Sequence, residues 1–132
     1  MSTAAAPASN PAGNARNLLR LEALALLGVS AGLYQHVSGD WLQFAELFLL
    51  PDLSMAFYVA GPGIGAVAYN AAHSTVGPLS LAALSIATGQ HAAFAVSLIW
   101  LAHIGLDRLL GYGLKHAGSF AETHLGRIGR KQ

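Results

Sequence analysis

The sequence predicts an all-α membrane protein, a four-transmembrane-helix antiparallel bundle behind a disordered N-terminal tail. Three observations carry that expectation. Of the 132 residues, 54% are hydrophobic and only 10% are charged, whereas a soluble domain is typically about a quarter charged. The apolar residues gather in four segments, 18–34, 41–60, 64–88 and 92–112, each close to the roughly 20 residues that a hydrocarbon core of about 30 Å requires at helical rise. All seven Lys and Arg lie outside the loops that join these segments.

Taken in order, residues 1–17 (MSTAAAPASNPAGNARN) are small, polar and proline-containing. They offer too little apolar surface to offset the entropy of ordering, so they read as a disordered tail. The first segment contains ALALLGVSA, which resembles the apolar region of a signal peptide. The long tail ahead of it, and Arg20 and Glu22 at its start, argue for a retained helix instead. Gly28 and Gly32 form a Gly-x-x-x-Gly pair that permits close helix contact, within the chain or in a homo-oligomer. Ser38-Gly39-Asp40, Gly61-Pro62-Gly63 and Thr88-Gly89-Gln90 punctuate the helices, and such short loops make sequential neighbours antiparallel. Segments two to four lack the polar face that a water-soluble bundle needs. After the Gly111-Tyr112-Gly113 turn, residues 113–132 are polar and read as a cytoplasmic tail.

The distribution of positive charge sets the orientation. Arg16 and Arg20 stand at one end, and Arg108, Lys115, Arg127, Arg130 and Lys131 at the other. An even number of spans puts both ends on one side, and an excess of Lys and Arg marks that side as cytoplasmic. Trp41 is then expected at the outer interface and Tyr112 at the inner one.

Composition also excludes chemistries. There is no cysteine, so disulfides, thiol nucleophiles and thiolate metal sites are ruled out. A formal charge of +1 without a basic, aromatic-rich patch leaves no case for a nucleic-acid partner. What remains is a set of polar residues at one depth. At about 1.5 Å per residue, Glu22 lies about 6 Å, Asn70 about 9 Å, Asp107 about 8 Å, Asp52 about 12 Å, and His73 and His103 about 14 Å from the cytoplasmic end. Asn70 and His73 are spaced i, i+3 and His103 and Asp107 i, i+4, so each pair shares a helix face. An ionised acid near the middle of a span costs about 2.5–3.5 kcal/mol, so a divalent cation, an arginine such as Arg108, or protonation must compensate these. Pro51 and Pro78 each remove a helical donor, and the freed carbonyls of Leu47 and Ser74 need partners.

The strings LLRLEALALL (18–27), PDLSM (51–55), YNAAH (69–73), WLAHIGLDRLLGYGLK (100–115) and THLGRIG (123–129) together resemble the bacterial domain-of-unknown-function 4260 family of small integral membrane proteins. The resemblance covers nearly everything after residue 17 and implies a helical inner-membrane protein without implying a reaction. His116 stands where the resemblance implies Tyr, so no essential role is expected of it.

Three functions fit these residues. In the first, a metal-dependent hydrolase, Asp52, His73, His103 and Asp107 ligate a divalent metal (Zn, Mn or Mg), Glu22 is a base and Asn70 an orienter. Arg108 and Lys115 then hold a headgroup phosphate, and the substrate is a lipid or lipid-linked molecule in the surrounding bilayer. His124 is a weaker fifth ligand, while His36 and His91 belong to outer loops. The second is a proton- or ion-coupled transporter, in which the same residues form a relay. The third is a structural or partner-binding membrane protein whose acids pair with Arg20 and Arg108.

Overall fold

The computed structural model describes residues 10–113, 115–116, 119–123 and 126–127. Helix α1 runs Pro11–Val37, seven residues ahead of the expected start. The Asn10 side chain accepts from the Gly13 amide at 3.1 Å, and Pro11 occupies the first helical position, where a missing N–H costs nothing. Residues 11–17 are therefore helix, not tail; the local cap outweighs the polar composition.

The second segment is not one α-helix. Asp40 caps α2, Trp41–Phe48, by accepting from the Gln43 amide at 3.1 Å. The chain then tightens into a 3₁₀ helix, Leu50–Ala60, with Pro51 in its first turn. At 11 residues this is far longer than the usual run of about 3–4, and such stretches often mark function or strain. Ser54 Oγ donates to the Pro51 carbonyl at 2.7 Å.

The third segment is divided as well. α3, Pro62–His73, stops because Ser74 is extended (ψ 150°), and α4, Val76–Thr88, restarts two residues later. The single helix expected over residues 64–88 is thus replaced by two with a break between them. Pro78 sits in the first turn of α4, where a backbone N–H would have no intrahelical partner and its absence costs no helical bond.

Among the described residues, α5, His91–Leu110, is the most buried of the helices long enough to span, and it runs without a break. It ends at Gly111, whose φ of +95° turns the chain, with Tyr112 N–H donating to the Asp107 carbonyl at 2.8 Å in the manner of a Schellman cap. Helix α5 packs along α1 and also against α4 and α2, while the 3₁₀ helix and α3 pack on each other. The α1–α5 contact is made where Gly105 meets the backbone of Ala23 and Leu27, not at Gly28 and Gly32, which face open space. Tyr58 lies over Gly65 in the 3₁₀–α3 contact.

Tyr34, Ala95, Leu98 and Ile99 form a buried core, flanked by Phe44, Leu47, Phe48 and Phe94. Large apolar side chains including Leu21, Leu42, Leu53, Val59, Val67 and Ile86 point outward, a surface suited to lipid and costly in water. Among the described residues three helices, Pro11–Val37, Trp41–Ala60 and His91–Leu110, are long and apolar enough to cross a membrane. α3 and α4, at 12 and 13 residues, each reach only about 20 Å and must act together to do so. Beyond α5, the short strands β1 (Lys115–His116), β2 (Ser119–Thr123) and β3 (Gly126–Arg127) form an antiparallel sheet in that order.

Candidate metal centre

Two interruptions and one continuous helix bring four side chains together. Asp52 comes from the first turn of the 3₁₀ helix and His73 is the last residue of α3. His103 and Asp107 share the inward face of α5, one turn apart. Their ligand atoms all lie within 4.8 Å of one another, and the group could hold a metal ion.

The tautomer of His73 follows from its partners. Its Nδ1 lies 2.9 Å from the Tyr69 carbonyl oxygen, which only accepts, so Nδ1 carries the proton and donates. In the neutral ring Nε2 is then a bare lone pair. It stands 3.2 Å from Asp52 Oδ1, 3.3 Å from Asp107 Oδ2 and 3.2 Å from His103 Nε2. His103 Nε2 is in turn 3.3 Å from Asp52 Oδ1 and 3.4 Å from Asp107 Oδ2. With both rings neutral, one proton on His103 cannot satisfy these five approaches, and ionised carboxylates supply none. In that protonation state the cluster is rich in acceptors and short of positive charge.

A metal ion held by these four residues would answer that shortage and match the spacing. Ligands held at about 2.0–2.1 Å around a tetrahedral ion stand about 3.3 Å apart, the separation seen five times here. The pair left over is the two carboxylates, and that edge is the accessible one. The side chains of Asp52 and Asp107 are 39% and 18% exposed, against 4% and 2% for His73 and His103.

Surrounding groups fix the rings. Tyr69 stacks on His73 with centroids 3.8 Å apart and planes 10° from parallel, and its carbonyl orients the same imidazole, the outer-shell arrangement typical of metal-bound histidine. Phe48 meets His103 edge-on at 5.2 Å. It is the inner end of a series of aromatic contacts through Phe44, Tyr34 and Trp41. Nδ1 of His103 is buried and has no hydrogen-bond partner among the described residues. Trp100, one turn before His103, donates from Nε1 to the Ala72 carbonyl at 2.6 Å. Neither Tyr69 nor Trp100 is singled out by the sequence, although each lies one turn before a ligand on the same face.

Other expected site residues fall elsewhere. Glu22 is exposed on α1. It has the right depth, but its neighbour Ala23 is the residue that faces the bundle, and adjacent helical side chains point about 100° apart. Asn70 is half-buried one turn before His73, and Arg108 is half-buried beside Asp107. Among the described residues no Arg or Lys lies within 4.0 Å of the Asp52 or Asp107 carboxylates, whose near neighbours are the two imidazoles. His36 and His91 are exposed. The Lys115 side chain and His124 lie outside the described residues.

Residues 16–128 match the family model described as a domain of unknown function, DUF4260. No curated protein and no solved structure matches the chain.

Proposed function

The chain belongs to the DUF4260 family, and we propose that it is a membrane-embedded, metal-dependent hydrolase acting on a lipid or lipid-linked substrate. The observation behind this reading is the five separations of 3.2–3.4 Å among Asp52, His73, His103 and Asp107. In this reading all four are ligands. Paired imidazoles and carboxylates suit Zn or Mn better than Mg, which prefers oxygen alone. Such a cation supplies Lewis-acid polarisation of a phosphoryl or carbonyl oxygen and a lowered pKa for water.

The protein's own groups do the rest. His73 and His103 anchor the buried side, while Asp52, the most exposed ligand, borders the face through which substrate and water arrive. Asn70 orients a group beside His73, and Arg108 and Lys115 hold a headgroup phosphate. Glu22, exposed on α1, is assigned no role. The protein sits in the bacterial inner membrane with both termini cytoplasmic, which places the cluster in the inner half. Reporters fused to either end are therefore expected to stay cytoplasmic; a periplasmic C-terminal reporter would overturn that orientation.

A transport path finds less support, because the apolar core around Tyr34, Leu98 and Ile99 lies on the outer side of the cluster in this orientation. A structural metal site is the competing reading, since four protein ligands can close a tetrahedral ion completely. Turnover separates the two. Detergent-purified protein loaded with Zn or Mn is expected to release headgroup or acyl chain from mixed phospholipid micelles, and Asp107→Asn to abolish release while remaining folded. Bound metal without turnover on phosphodiester, phosphomonoester or acyl-ester lipids would favour the structural site.

A further inference from the structure

The break between α3 and α4 has a side chain wedged into it. In an uninterrupted helix the Ala72 carbonyl would accept from the Val76 amide, but Ser74 is extended and that partner is removed. Trp100 Nε1 takes its place, donating at 2.6 Å. The indole is confined from the other side too. A Cβ at Gly77 would stand 2.6 Å from Trp100 Cη2 and 3.0 Å from Cζ2, so the ring fills the space that a side chain there would need. Trp100, His103 and Asp107 lie at i, i+3 and i+7 on α5, one face of the helix.

We infer that Trp100 is a positioning residue for the metal centre: through the Ala72 carbonyl it fixes the last turn of α3 against α5 and so aims Nε2 of His73 at Nε2 of His103. The geometry gives this step by step. His73 follows Ala72 directly, and its ring is tied to its own helix by the Tyr69 carbonyl and stack. The ring therefore moves with the end of α3 as one body. That end is a chain terminus in all but name, because the backbone leaves the helix at Ser74. A rotation of the last turn by even part of a residue would carry Nε2 off the 3.2 Å approach to His103. The donor that prevents it sits on the helix that carries the two opposing ligands. Phe48 and Tyr69 meet the rings themselves; the hydrogen bond of Trp100 acts through backbone.

The inference rests on the cluster binding metal, and Co²⁺ is the probe that keeps the two apart, because its visible spectrum reports coordination geometry. Full-length protein in detergent is freed of metal and titrated with Co²⁺. Wild type is expected to give the intense visible bands of a four-coordinate centre. Trp100→Phe, which keeps a ring and loses the donor, should bind about 10–100-fold more weakly, the usual effect of losing an outer-shell partner, and give shifted, weaker bands. Gly77→Ala keeps the donor but crowds the ring, and should move the spectrum in the same sense. Trp41→Phe is the control: that indole is half-exposed and donates to Gln35 at 2.7 Å in the outer loop region, so affinity and spectrum should be those of wild type. Wild type that takes up no Co²⁺ would overturn the metal reading itself. Wild-type affinity and spectrum in both Trp100→Phe and Gly77→Ala would leave the metal reading standing and overturn this one. A Trp100→Phe chain that does not fold in detergent would also count against it, assigning the indole to stability instead of to the aim of His73.

Discussion

Helix α5 and the interrupted spans opposite it reach the same cluster by opposite means. α5 presents His103 and Asp107 by regular helical repetition, on a face that is buried from Ala95 to Gly105. The second and third spans each deliver one ligand at a departure from the α-helix: Asp52 in the first turn of the 3₁₀ helix, His73 at the last residue of α3. A regular helix repeats its side-chain directions about every 3.6 residues, so it can offer a pair but not adjust it. A break frees the direction and level of a single side chain, and it needs partners for the released backbone, here Trp100 for Ala72. Rigidity on one side and adjustability on the other let four side chains from three segments meet within 4.8 Å.

Substitutions can break or sharpen this contrast. The largest effect is expected at the ligands: His103→Ala should cut metal affinity by more than the roughly hundredfold seen for outer-shell partners. Asp107→Asn should do the same without destabilising the metal-free protein, because it removes a part-buried charge. Metal content and unfolding temperature measured on the same samples check both; retained metal in either variant would contradict the assignment. Next comes α5 itself. In Gly105→Ala the new Cβ would stand 2.8 Å from Leu27 N and 3.0 Å from the Ala23 carbonyl, backbone atoms that cannot rotate away. A loss of about 1–3 kcal/mol is expected from such overpacking, visible as a lower midpoint in detergent unfolding. Pro51→Ala probes the opposite side. Restoring a backbone donor should favour an α-helical continuation and turn Asp52 away, weakening metal binding by about tenfold, on the scale of an outer-shell change, with little change in unfolding. Glu22→Gln is the smallest, within about 0.5 kcal/mol in stability and without effect on metal; a large change in either would return Glu22 to the site.

How far the sequence could be read follows the same division. The α5 pair was legible because i, i+4 spacing needs nothing but a helix. The level of His73 was legible too, since counting from the Gly61-Pro62-Gly63 turn crosses only intact α3. For Asp52 the count runs through the 3₁₀ helix, whose rise of about 2.0 Å puts it nearer 16 Å than 12 Å from Ala60; the residue was found but its level was underestimated. Depth says nothing about face, which is why Glu22 was included and is exposed. Pro51 pointed correctly to an irregular backbone beside an acid. Pro78 was misread, because a proline in the first turn of a helix and one inside it look alike when the break at Ser74 is unknown. Gly105 and Trp100 carry their meaning only through what they meet, the backbone of α1 and the open end of α3. No local pattern announces either.

If the two sides converge on a cation, thermal unfolding of wild type must respond to Zn. Protein prepared metal-free in detergent and given Zn at a hundred times its dissociation constant should gain about 2.7 kcal/mol. His73→Ala, titrated alongside, should gain little, since the buried anchor from α3 is gone. An unfolding midpoint for wild type that does not move with Zn or Mn at any concentration would contradict the account, and would leave Asp52, His73, His103 and Asp107 as a proton-sharing cluster between one rigid helix and two broken ones.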